Sequence, residues 1–181
     1  MNKNSSKNIA NEVINLEIDA LKILKRSINK NFDKAVNTIV NCQSKIILCG
    51  VGKSGLIAAK IASTFSSVGS PAFSLSANDC LHGDLGSITR KDILILISNS
   101  GKSEEIIPII KFANRNKIKL IGIVSKKNSF LYKGSDIKIL LPEVKESGLG
   151  VVPTSSTSIQ LAIGDALAVA ALKKKQFSKY D

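Results

Sequence analysis

The chain has no tryptophan, two tyrosines and six phenylalanines, and of its 26 basic residues only Arg26, Arg90 and Arg115 are arginines. Proteins that read nucleic acids lean on aromatic stacking platforms and on the planar guanidinium fork. A formal charge of +12 carried almost wholly by scattered lysines therefore argues against a nucleic-acid partner, and no motif of that class is present. The excess charge suits the steering of small anions instead. Cysteine is sparse as well. Cys42, Cys49 and Cys80 make an odd number with neither metal nor redox spacing, which excludes a disulfide framework and fits a reducing cytoplasm. No long hydrophobic run opens the chain: Met1 to Ser6 is polar and leads into an amphipathic stretch, so neither a signal peptide nor a membrane span is expected.

What is there is a hydrophobic fraction of 44% in 181 residues, enough for one domain with a proper core. Apolar residues Ile9, Val13, Leu16, Ala20 and Leu24 recur at helical steps over residues 8–26, and a second helix is expected over 31–42. Their apolar stripe must pack on this domain or on a partner subunit. Strands then alternate with helices. Residues 45–49, 71–75, 92–97, 118–124 and 136–140 read as five strands, with a clear helix over 103–114 and a buried apolar helix over 155–172. That alternation implies an α/β fold, a doubly wound five-stranded parallel sheet flanked by helices, with residues 1–43 as a helical N-terminal extension.

Three stretches carry chemistry. Residues 50–55, Gly-Val-Gly-Lys-Ser-Gly, follow the first strand and satisfy the dinucleotide spacing, but no acidic residue ends the second strand to take ribose hydroxyls. A P-loop is excluded because Ile47 stands where its first glycine belongs. Residues 98–103, Ser-Asn-Ser-Gly-Lys-Ser, follow the third strand and combine hydroxyl donors with a glycine turn and a helix start, the elements of a phosphate-binding loop. Helix capping by Ser103 is the plainer alternative. In the common strand order 2-1-3-4-5 both turns face one crevice at the carboxyl ends of the strands, so Lys53 and the serine loop would share a ligand. The lone histidine, His82, lies between glycines in a segment ending Gly83-Asp84-Leu85-Gly86, and Thr154, Ser155, Ser156 and Thr157 open the last helix.

Together, Gly50 to Gly55, His82 to Gly86, Ser98 to Gly101 with Glu105, Pro153 to Thr157 and Gly164 to Ala168 resemble, in order and spacing, the sugar isomerase (SIS) domain of D-arabinose 5-phosphate isomerases. The resemblance covers nearly the whole chain. It implies interconversion of D-arabinose 5-phosphate and D-ribulose 5-phosphate, feeding 3-deoxy-D-manno-octulosonate synthesis for lipopolysaccharide or capsule. It also implies a cytoplasmic homotetramer with active sites at subunit interfaces and no organic cofactor. Lys53, Glu105 and Glu146 match positions of catalytic importance and His82 a substrate-contacting one. Substrate or phosphate contacts are expected from Gly52, Ser54, Gly69, Ser70, Ser98, Asn99, Ser100, Ser103, Thr154 and Ser155. Ser76 stands where some members carry a metal-associated histidine, so no metal is expected. The family continues past the last helix into a His-Pro-Gly-Gly-like segment and usually a pair of CBS domains, and the sequence ends at Asp181 before either, so a single SIS domain over residues 1–181 is expected.

Aldose–ketose isomerisation moves a proton between adjacent carbons through an enediolate, which needs a base, a shuttle between oxygens and a stabiliser for the oxyanion. The resemblance offers Glu105 or Glu146 as base, Lys53 as stabiliser, and His82 at the sugar oxygens, from the same protomer or a neighbour. A sugar-phosphate sensor without turnover and a phosphoheptose isomerase are the competing functions.

Overall fold

The computed structural model describes residues 5–176. Two helices come first, α1 (Ser6–Ser27) and α2 (Lys30–Val40). Then β1 (Ile46–Gly50), α3 (Lys53–Ser67), β2 (Ala72–Ser76), the short α4 (Ala77–Cys80), β3 (Ile93–Ser98), α5 (Ile106–Arg115), β4 (Lys119–Val124), α6 (Phe130–Gly134), β5 (Ile137–Leu140) and α7 (Ser155–Lys174) follow in turn. The five strands are all parallel in the order β2-β1-β3-β4-β5. Each expected strand is present within one residue of its sequence boundaries.

The strands explain themselves by their side chains. Along β1 and β3, Ile46, Leu48, Ile93, Ile95 and Ile97 enter the core beneath α1, α2, α3 and α7, whereas Ile47, Cys49, Leu94 and Leu96 enter the one beneath α4, α5 and α6. A strand buried on both faces has no solvent side, which is why β1 and β3 read as unbroken apolar runs.

Two sequence expectations are corrected. The glycine turn after β1 is shorter than expected: α3 begins at Lys53, so Lys53 is the first helical residue. Helix α5 begins at Ile106 rather than at residue 103, and Ser103 to Glu105 form a turn in which the Ser103 and Glu104 carbonyls accept from the amides of Ile106 and Ile107. Ser103 is therefore not a side-chain cap. Along the α1 stripe, Ala20 and Leu24 are buried, Val13 and Leu16 half-buried and Ile9 exposed, and the helix packs on α7, while Ile14 and Ile18 beside the stripe stay exposed.

Helix α7 is long and apolar enough to cross a membrane by length and composition, and no other described helix is. Its apolar residues are spent inside the fold, because it packs on α3, α1 and α2 and buries Ile159, Ile163, Leu167, Ala168 and Ala171.

Candidate active site

The carboxyl end of β1 turns into α3 through a close approach of backbone to backbone. A Cβ on Gly50 would stand 2.7 Å from the Ser54 carbonyl carbon, and Gly52 has φ +56° with ψ −126°, a region open essentially to glycine. This compression sets Lys53 at the helix start with its side chain exposed and turns Ser54 towards α7, where its hydroxyl donates to Gln160 Oε1 at 3.1 Å.

The serine loop after β3 is held just as tightly. Ser98 is buried and its Oγ accepts from the Gly101 amide at 3.0 Å, while Ser100 Oγ accepts from the Lys102 amide at 3.2 Å. At Gly101, φ is +63° and a Cβ would meet Ser129 Oγ at 2.5 Å and Val124 Cγ2 at 2.6 Å, so the loop is clamped against the end of β4. Asn99 is tied to the same strand end: its Oδ1 accepts from Ser125 Oγ at 2.6 Å and its carbonyl from the Ser125 amide at 3.1 Å.

Glu146 reaches the crevice from the other side. Its Oε2 accepts from the Thr154 amide at 2.8 Å, the Thr154 hydroxyl at 3.2 Å and the Ser156 amide at 3.2 Å. The two amides are free donors at the start of α7, so Glu146 caps that helix from outside it and meets its positive end. Burial works against its charge, but the hydrogen bonds from Ser156 and Thr154 outweigh it and hold the carboxyl below its usual range. All three bonds fall on the same oxygen.

A cavity of about 360 Å³ brings Lys53, Ser54, Asn99 and Glu146 together, with Ser156, Thr157 and Gln160 of α7 on its wall. Beside it, a larger hollow of about 550 Å³ is lined by Ser100, Lys102, Ser125, Lys126 and Lys127. The serine loop thus stands between two spaces. Asn99 faces the one that holds Lys53, and Ser100 the lysine-rich one. The arrangement can hold an anion and place a cation and a carboxylate along the carbon chain attached to it.

Other expected residues lie elsewhere. Glu105 is half-buried in the turn ahead of α5, and its side chain neither caps that helix nor lines the crevice. His82 is exposed, outside the crevice of its own protomer. Gly69 and Ser70 precede β2 and so lie at the amino edge of the sheet, away from the crevice of their own protomer, where Gly69 (φ +71°) follows α3 and Ser70 Oγ accepts from Lys175 Nζ at 2.9 Å. Lys175 follows the far end of α7, roughly 30 Å of helix from Thr154. The Ser155 side chain does not line the crevice: it is fully buried, with Oγ unpartnered. Thr154 is occupied in holding the Glu146 loop, its Oγ1 accepting from the Ser147 amide at 3.0 Å. Gln160 was not anticipated. Its signal was a lone amide on an apolar helix, one turn beyond Ser156. Ser76 caps α4, its Oγ accepting from the Asp79 amide at 3.4 Å, and among the described residues no three His, Cys, Asp or Glu side chains gather as a metal cluster would.

Residues 39–170 match the SIS domain family. The chain belongs to the SIS domain family. Two relatives are arabinose 5-phosphate isomerases KdsD. That of Francisella tularensis is 44% identical over 178 residues, covering 96% of this chain and 54% of the relative, and that of Yersinia pestis 43% identical over 171 residues, covering 94% and 52%. The chain therefore spans about half the length of these curated relatives. A solved structure, that of E. coli CFT073 c3406 in complex with arabinose 5-phosphate, superposes with a TM-score of 0.94 at 33% identity and covers 100% of this SIS domain and 97% of that chain.

Proposed function

We propose that this SIS domain interconverts D-arabinose 5-phosphate and D-ribulose 5-phosphate. The meeting of Lys53, Asn99 and Glu146 in one crevice beside the serine loop carries the reading. It is supported by the similarity to the KdsD isomerases and to a structure in complex with arabinose 5-phosphate. The 5-phosphate is held at the serine loop, where hydroxyls and nearby lysines supply donors and charge. Glu146, anchored through one oxygen at the start of α7, takes the proton from C2 and returns it to C1. The Lys53 ammonium stabilises the enediolate oxygen that forms between the two steps. Geometry favours Glu146 over Glu105 as base, since only Glu146 lines the crevice.

His82, outside its own crevice, serves best in the crevice of a second copy, where its imidazole carries the O2 hydroxyl proton to O1. Exposed Ile9, Ile14 and Ile18 on α1 and Leu149, Val151 and Val152 on the loop before α7 give such an assembly apolar surface to bury. The homotetramer is the expected form, to be checked by sedimentation. The free thiols of Cys42, Cys49 and Cys80 fit a cytoplasmic site of action. The deciding assay incubates the chain with arabinose 5-phosphate and follows ribulose 5-phosphate. Saturable binding without turnover would make it a sensor, and preferential turnover of sedoheptulose 7-phosphate a phosphoheptose isomerase.

A further inference from the structure

Gln160 combines three properties. It is 1% exposed on the second turn of α7, amid Ile159, Leu161 and Ile163, where a polar side chain carries a desolvation cost. Its Oε1 is fixed by the Ser54 hydroxyl at 3.1 Å, which orients the amide. Its Nε2 has no hydrogen-bond partner among the described residues and is not one of the sealed, unpartnered polar atoms, and the residue lines the crevice. A buried amide held by its oxygen at a cavity wall, with its nitrogen unpartnered, is a donor awaiting an acceptor.

We infer that Gln160 is a substrate-binding residue whose Nε2 donates to an oxygen of the sugar chain, and that it selects polyhydroxylated phosphates over simpler anions. The inference rests on the sugar-phosphate reading of this crevice. The acceptor is a sugar oxygen rather than the phosphate because Gln160 shares its cavity with Lys53 and Glu146, while Ser100 and Lys102 line the neighbouring hollow. Between a cation and a carboxylate, a neutral donor suits a neutral hydroxyl or carbonyl. It also leaves the charges of Lys53 and Glu146 undisturbed.

The test compares two probes on the 181-residue chain by calorimetry: inorganic phosphate, which occupies only the handle, and D-arabinitol 5-phosphate, which adds an unreactive polyol chain. In Gln160→Met, of similar shape and without a donor, the affinity for arabinitol 5-phosphate should fall about tenfold to a hundredfold, with that for phosphate unchanged. Gln160→Asn, which withdraws the amide by one methylene, should show the same selective loss and serves if the methionine chain fails to fold. Unchanged arabinitol 5-phosphate affinity in either variant would overturn the inference. So would an equal fall for both probes with a lowered unfolding midpoint, which would make Gln160 only a clasp between α3 and α7. Wild-type binding of arabinitol 5-phosphate without isomerisation of arabinose 5-phosphate would sink the isomerase reading and leave Gln160 standing, whereas no binding of arabinitol 5-phosphate at all sinks both.

Discussion

Asp92 and Glu146 are both carboxylates held below their ordinary range, and they sit at opposite edges of the same sheet. Burial opposes ionisation at Asp92, but hydrogen bonds from Ser44, Thr89 and Lys45 overcome it and bring the group to about 2. Asp92 takes the amides of Lys45 and Thr89, the Thr89 hydroxyl and the Lys45 ammonium, tying the start of β1 to the start of β3. Asp136 repeats the device for β4 and β5, accepting from the Leu120 amide at 2.8 Å and from Lys119 Nζ at 3.2 Å. At the amino edge these donors are taken up by the protein's own carboxylates, beside a hollow of about 450 Å³ lined by Arg90, Lys91, Asp92 and Lys119. At the carboxyl edge the bonds to Glu146 converge on one oxygen, and the Lys53 ammonium and the Gln160 amide nitrogen have no partner among the described residues. Similar hydrogen bonding ties strand starts together at one edge and holds the Glu146 carboxylate in the crevice at the other.

If the edges differ in this way, variants should separate activity from stability. The largest effect is expected for Glu146→Gln, which keeps an oxygen to cap α7 but removes the base. Turnover of arabinose 5-phosphate should fall by on the order of a hundred- to ten-thousandfold in a coupled assay. The matching Glu105→Gln should cost less, and the reverse ranking would move the base to Glu105. Gly101→Ala comes next. Its positive φ and the closeness of Val124 and Ser129 should make the change cost about 2–4 kcal/mol by urea unfolding, with phosphate affinity falling as the loop shifts.

At the amino edge, Asp92→Asn should lose about 2 kcal/mol of stability and leave kcat/KM intact, since an amide turns a donor towards the backbone amides from which Asp92 now accepts. The same residue sets an acid dependence. Its folded pKa lies below the ordinary 3.8, so its contribution is complete above about pH 4 and disappears as pH falls towards 2, a loss of about 2 kcal/mol. Denaturant midpoints across that window should show a loss that Asp92→Asn no longer shows. Glu146 is shifted in the same direction, so activity on the acid side should persist below the usual carboxylate range. The smallest effect belongs to the exposed pair of Lys60 and Asp165, 2.6 Å apart between α3 and α7, where Lys60→Met should cost no more than about 1 kcal/mol.

Much of this was legible because it was local. Five strand-like stretches became five strands, and glycines at 50, 52 and 101 occupy places where backbone or neighbours leave no room, or where φ is positive. The switch point between β1 and β3 then put Lys53 and Asn99 in one crevice. Ser155 and Ser156 show the limit. They are neighbours of one residue type, and the 100° step of the helix sends Ser155 into the core and Ser156 to the crevice. Gly69 and Ser70 were expected among the substrate contacts, and only the direction of β2 reveals that they lie at the amino edge.

By itself the sequence determined the parallel α/β sheet, its glycine turns and the residue types a sugar phosphate needs, because periodicity and backbone restriction act over a few residues. Tertiary structure alone decided that Glu146 caps α7 through one oxygen, that Gln160 lines the same cavity with its oxygen held by Ser54, and that Asp92 ties the strand starts at the opposite edge. Burial and hydrogen-bond partners depend on segments brought together across the chain, and no local pattern specifies which group will be left without a partner.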